Sequence, residues 1–197
     1  MKIAGGCSRA VAMKPFNIFF RDNTVEYPIF EQLDFQEFKR LKLRMSGNDF
    51  PLTMVRDASI HAMLAGQVDL DLMAYNPVVV YLNNEYWGFY GMREMYNKHY
   101  IEAHHGVDKD SLDLIKNPYG NGEIKEGDQV AWDELTDFIE NNSLQNISNY
   151  DFVTSKIDMN EFMNYNIAEM YAANYDWPAN NVAVWRDRNG GKFRWMF

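Results

Sequence analysis

The sequence predicts an α+β fold, because its strand-prone runs and its helical periodicity occupy different stretches of the chain instead of alternating. Three observations carry this. The first half holds short β-prone runs around one helical pattern; a hairpin signal follows them; the second half turns to apolar residues at helical spacing before closing on another hairpin.

Pro15 to Arg21 (PFNIFFR) and Leu41 to Met45 (LKLRM) read as strands of one sheet, the second alternating apolar with basic residues as a half-buried strand does. Ser46-Gly47-Asn48-Asp49 carries turn chemistry. From Thr53 to Ala65, Ala58, Ala62 and flanking apolar positions share one face, which predicts a helix capped by Thr53 and ending at Gly66. Pro77 to Leu82 (PVVVYL) and Tyr86 to Met92 (YWGFYGM), joined through Asn83-Asn84, predict a hairpin with the best-buried strands of the protein. Met95 to His105 reads as a helix stopped by Gly106, Leu112 to Lys116 as a strand, and Asn117 to Gly127 as a polar, Gly-rich loop.

Trp132, Leu135, Phe138 and Ile139 recur at helical spacing, and so do Met159, Phe162, Met163, Asn166, Ile167 and Met170. The later helix opens on Asp158 with Glu161 three residues on, a pair able to satisfy first-turn amides. Asn181 to Arg186 and Lys192 to Phe197, joined through Asn189-Gly190-Gly191, predict the closing hairpin. A division into two lobes would place the hinge at Arg93 to Asn97.

Apolar residues make up 47% of 197 positions, enough to bury a sizeable core. A net charge of −9 argues against a generic phosphate-backbone surface, which needs clustered Lys and Arg, while leaving room for a local basic pocket. Nucleic acid is not an expected partner. The single cysteine, Cys7, excludes an internal disulfide framework, and it does not assemble a zinc site with four scattered histidines. His104 and His105 point about 100° apart on one helix and are expected as helix-end residues. No apolar run approaches the roughly 18 residues of a membrane span. Aromatic residues at 15% suit a packed core, and they equally suit carbohydrate binding.

The chemistry concentrates in Asn174 to Arg186 (NYDWPANNVAVWR), where Asp176 follows a helix and Asn180-Asn181 lead into a strand. A loop held between rigid elements is a common place for catalytic residues. Phosphoryl transfer needs one carboxylate to orient or deprotonate the attacking hydroxyl, plus oxygen ligands for a metal on the phosphates. In protein kinases the catalytic Asp precedes a metal-binding Asn by five residues, the interval from Asp176 to Asn181. The motif alone has low specificity, and an Asx-rich turn capping the helix uses the same residue types.

Four ordered blocks sharpen this: GGCSRAVAMKPFNIFFR from Gly5, LRMSGNDFPLTMVRDA from Leu43, PVVVYLNNEYWGFYGMRE from Pro77 and IAEMYAANYDWPANNVAVWR from Ile167. Together they resemble the CotH family of spore-coat and secreted atypical kinases over essentially the full length. The resemblance implies a divergent protein-kinase-like fold, with a strand-rich N-terminal lobe over 1–95 and a partial helical C-terminal lobe over 96–197. It implies ATP as donor, Mg2+ or Mn2+ as metal, Ser or Thr of a coat, secreted or cell-surface protein as acceptor, and a matching spore-coat or extracellular location. Asp176 matches the family's catalytic Asp, and Asn181, or else Asn180, its metal-binding Asn. Lys14 matches a phosphate-binding basic position, with Arg9 and Arg44 as alternatives. Arg56 either touches phosphate or pairs with Asp57 or a nearby carboxylate. Glu94 falls where a hinge backbone could meet adenine, or where a surface salt bridge to Arg93 or Lys98 would sit. The usual Gly-rich phosphate loop is missing, Gly5-Gly6 being a partial substitute.

The resemblance further implies a second metal-binding Asp after the terminal strand, and the sequence ends at Phe197 before one. A C-terminally truncated, poorly active form is the expectation. The rival expectation is a binding or scaffold module on the same fold, with aromatic residues such as Trp87, Trp132 and Trp177 engaging glycan or protein.

Overall fold

The computed structural model describes residues 1–21 and 23–197. The chain divides into two compact units, Met1–Ala65 with Met73–Tyr100, and Gly66–Leu72 with Ile101–Phe197. Five α-helices and antiparallel sheets, among the described residues, make it a mixed α+β protein.

In the first unit come β1 (Lys2–Ile3), β2 (Phe16–Phe19), β3 (Val25–Glu26), β4 (Glu37–Phe38), β5 (Arg40–Arg44), α1 (Arg56–Leu64), β6 (Tyr75–Leu82) and β7 (Glu85–Arg93). Five strands form an antiparallel sheet in the order β1-β2-β5-β7-β6, and β3 pairs with β4. Alternation in β5 sorts the two faces, because successive side chains of a strand point oppositely. Leu43 stands in register with Phe16 and Met92 and buries with Tyr90. Leu41 joins a neighbouring cluster of Phe30, Phe38 and Ala74. Arg40, Lys42 and Arg44 occupy the alternate positions, Lys42 opposite Arg93.

The hairpin is as expected, with Asn83 and Asn84 both left-handed at φ 51° and 67°, as its turn requires. Its strands are not the best buried. Val79, Tyr81, Tyr86, Trp87 and Phe89 remain exposed, since β6 is an edge strand and one face of the hairpin meets solvent. The helix α1 begins at Arg56, not Thr53. Asp49 accepts from the Thr53 hydroxyl at 2.5 Å and from the Arg56 amide at 3.1 Å, so an upstream carboxylate, not Thr53, caps the first turn.

The helix α2 (Lys98–His105) runs across the boundary of the units. The second unit continues with β8 (Leu112–Lys116), β9 (Glu123–Glu126), α3 (Val130–Asn141), α4 (Ile147–Lys156), α5 (Met159–Tyr171), β10 (Ala183–Asp187) and β11 (Arg194–Met196). Its sheet has the order β11-β10-β8-β9. Leu112 to Ile115 are all buried, and the core gathers Trp132, Leu135, Tyr165, Val184, Phe193 and Trp195. Trp132 meets Phe193 edge-on with centroids 5.1 Å apart, a favoured aromatic geometry.

Three details depart from expectation in this unit, and a fourth adds a partner to an expected helix end. The supposed loop 117–127 contains β9, whose EIKE composition hides an edge strand behind charge. The helix α4 was not foreseen, since Val153 is its only buried residue; its legible sign was Asn146, which caps it by accepting from the Ser148 amide at 2.9 Å. Asp158 does cap α5, but Glu161 turns inward and both its oxygens stand 3.1 Å from the Trp195 amide of β11. His105 does end α2, yet its Nε2 also meets Oδ1 of the buried Asp71 at 2.6 Å, whose Oδ2 accepts from Trp185 Nε1 at 2.6 Å.

Candidate functional site

The loop between α5 and β10 is built from short Asx side chains that satisfy local backbone. Past Ala172, Asn174 turns back on Glu169, its amide reaching the Glu169 carbonyl at 3.2 Å and its Nδ2 the carboxylate at 2.8 Å. Burial pushes the Glu169 carboxyl up, and the bond from Asn174 partly offsets this. Asn174 Oδ1 in turn accepts from the Asp176 amide at 3.2 Å. Trp177 packs on the core of the second unit, the Trp177-Pro178 peptide is cis, and the Asn180 amide donates to the Asp176 carbonyl at 2.8 Å.

Asn181 is left-handed at φ 59°, a conformation Asn tolerates better than most residues. Its Nδ2 donates to Asp176 Oδ2 at 3.1 Å. The two residues five apart in sequence are thus hydrogen-bonded across an exposed loop, with Val182 buried immediately after them. Asn180 lies alongside, its Oδ1 accepting from Asn117 Nδ2 at 3.4 Å.

The remaining candidates lie in the first unit. Lys14 Nζ donates to the Arg9 carbonyl at 2.6 Å, tying the segment before β2 to the short 3-10 helix Cys7–Ala10 that carries Arg9. Arg44, at the end of β5, pairs with Asp57 of α1 at 2.6 Å, and the buried Arg93 reaches the same carboxylate oxygen at 3.0 Å. Arg56 pairs with Asp49 at 3.4 Å, the nearby carboxylate, and not with Asp57. Hydrogen bonds, from the Thr53 hydroxyl foremost, hold the Asp49 carboxyl below its usual range. Glu94 is buried, and its carboxylate accepts from the Ala74 amide at 2.9 Å, so it holds the residue that precedes β6 and is no surface side chain. His61 is also buried and accepts from the Met73 amide through Nδ1 at 3.1 Å. Burial foremost, then Arg93 and Arg44, drives its pKa down to about 3, so the imidazole is neutral at physiological pH.

The sequence does not show that Arg44 pairs with Asp57 or that Asn117 meets the 176–181 loop. The available signs were an acidic residue in the first turn of a helix and a lone Asn closing an apolar strand.

Among the described residues no group of three or more His, Cys, Asp or Glu could hold a metal ion. The loop instead supplies one carboxylate and neutral amide oxygens, from Asp176, Asn180 and Asn181. Such a set fits a hard divalent cation that takes most of its shell from phosphate and water, as Mg2+ does.

The fold and this loop define an α+β protein with the Asp and Asn spacing of a kinase catalytic loop. A family model described as CotH kinase protein matches residues 1–197, the whole chain, and the chain therefore belongs to the CotH kinase family. None of the curated proteins compared with it matches. Kinase family membership implies ATP, a divalent metal and a protein substrate in general. No helix of the described residues is long and apolar enough to cross a membrane.

Proposed function

We propose that the chain is a CotH-like atypical kinase domain that transfers the ATP γ-phosphoryl group to Ser or Thr of a coat, secreted or cell-surface protein. The observation that carries this reading is the 3.1 Å bond from Asn181 Nδ2 to Asp176 Oδ2 in an exposed loop between a helix and a strand. Asp176 acts as base or orienter, receiving the proton of the acceptor hydroxyl as its oxygen bonds to phosphorus and ADP departs. Asn181 holds that carboxylate in place, and with Asn180 it would hold the divalent cation through amide oxygen. The cation, when bound, neutralises charge on the phosphates.

The first unit supports the same reading. Protein kinases pair a strand Lys with a Glu on the following helix, and Arg44 with Asp57 supplies a strand-to-helix ion pair of the same sense. We read the first unit as the N-terminal lobe and the second as belonging to the C-terminal lobe, with Arg44, Arg9, Lys14 and Arg56 as the cationic residues from which phosphate contacts are drawn. Because Glu94 is committed to Ala74, any adenine contact at that position falls to the backbone.

A rival reading, a non-catalytic binding module, is favoured by the exposed aromatic face of the β6–β7 hairpin, where Trp87 lies; Trp132 is core. Turnover separates the two. Mg2+-dependent ATP turnover by a protein carrying this domain is expected to fall by roughly 10²- to 10⁴-fold in Asp176→Ala, and unchanged turnover in that variant would remove the kinase assignment.

A further inference from the structure

We propose that Asn117 is a positioning residue for the 176–181 loop, holding the chain on both sides of Asn181. This inference rests on the reading of that loop as the metal- and phosphate-handling segment.

Asn117 follows the last residue of β8, and its amide donates to the Val182 carbonyl at 2.6 Å, one rung past the Lys116 and Ala183 pair. Its φ of 51° is left-handed, and the chain turns away at once, the Gly120 amide donating back to the Asn117 carbonyl. Its Nδ2 reaches Asn180 Oδ1 at 3.4 Å. One residue thus grips positions 180 and 182, and only Asn181 lies between them. Asn181 meanwhile reaches across to Asp176. Asn117 Oδ1 is buried and accepts no hydrogen bond from the described residues, so the amide is oriented by its Nδ2 contact. Two residues on, the Tyr119 hydroxyl accepts from Trp195 Nε1 at 2.8 Å, fixing the same turn to β11. The grip on Asn181 is therefore anchored to the sheet and the core.

Partners that orient metal-holding side chains typically change metal affinity by roughly 10- to 100-fold when removed. The variant Asn117→Gly separates this role from folding: glycine accepts a left-handed φ and keeps the amide bond to Val182, losing only the side-chain contact. Asn117→Gln keeps a side-chain NH2 that can donate to Asn180 Oδ1 and adds no charge beside the loop.

Mn2+ binding in the presence of ATP, followed by the electron paramagnetic resonance of free Mn2+ against the same ATP without protein, provides the readout, with the thermal midpoint recorded alongside. Asn117→Gly is expected to weaken Mn2+ binding roughly tenfold or more at an unchanged midpoint, and Asn117→Gln to recover most of it. Wild-type Mn2+ affinity in Asn117→Gly overturns the inference, as does weakening in both variants that only tracks a lowered midpoint. A wild-type protein that binds Mn2+ and never turns over ATP fails the kinase reading alone, the shift in Asn117→Gly still deciding the positioning role. Loss of Mn2+ binding in the wild type overturns both.

Discussion

Glu161 and His61 are buried titratable groups whose positions in sequence announce little. Burial foremost, with help from Asp71 and Asp158, pushes the Glu161 carboxyl up to about 8, while the Trp195 amide and Arg194 oppose the shift. The folded state therefore binds a proton that the unfolded chain has released, and this contribution to stability is lost as pH rises from about 4.5 to about 8. The depressed His61 works in the other direction. The unfolded chain takes up its proton first, so stability is lost as pH falls from 6.5 toward about 3. Glu161→Gln keeps an acceptor for the Trp195 amide and removes the titration. We expect its urea midpoint to change little between pH 6.5 and 8.5 while that of the wild type declines, and an equal decline in both would exclude Glu161 as the cause.

Between β5 and α1 the energetics hinge on which partner is exposed. Asp57 serves Arg44, whose side chain is 37% exposed, and Arg93, at 1%. The first pair is largely screened by solvent and contributes at most about 1 kcal/mol. Leaving the buried Arg93 without its ion-pair partner is far costlier. Breaking buried pairs costs about 3–5 kcal/mol, and the partial exposure of Asp57 lowers this to roughly 2–3 kcal/mol. Denaturant titrations should therefore show Asp57→Asn losing several times more stability than Arg44→Gln, and comparable losses would mean that Arg93 finds another partner. The hairpin, β5, β8 and α5 were legible because each carries a strong local period or turn. The strand β9 and the helix α4 were not, since a charged edge strand and a helix with one buried residue give almost no pattern to read.

Across the molecule, a net charge of −9 sets the long-range field. A protein of this charge should pass through phosphocellulose at physiological salt, because its net negative charge is repelled by a polyanion. Retention at that salt would reveal a concentrated basic surface and revise the expected partners. By itself the sequence determined the α+β class, the order of most elements, the family and the Asp176 to Asn181 interval, since these rest on local periodicity and on motifs read in order. Only the tertiary structure decided that Asn181 bonds Asp176, that Asn117 holds both neighbours of Asn181, that Asp57 joins Arg44 to Arg93, and that Glu161 faces Trp195. Each joins groups whose meeting depends on how loops close and sheets register, and no local pattern encodes the distance between residues 117 and 180.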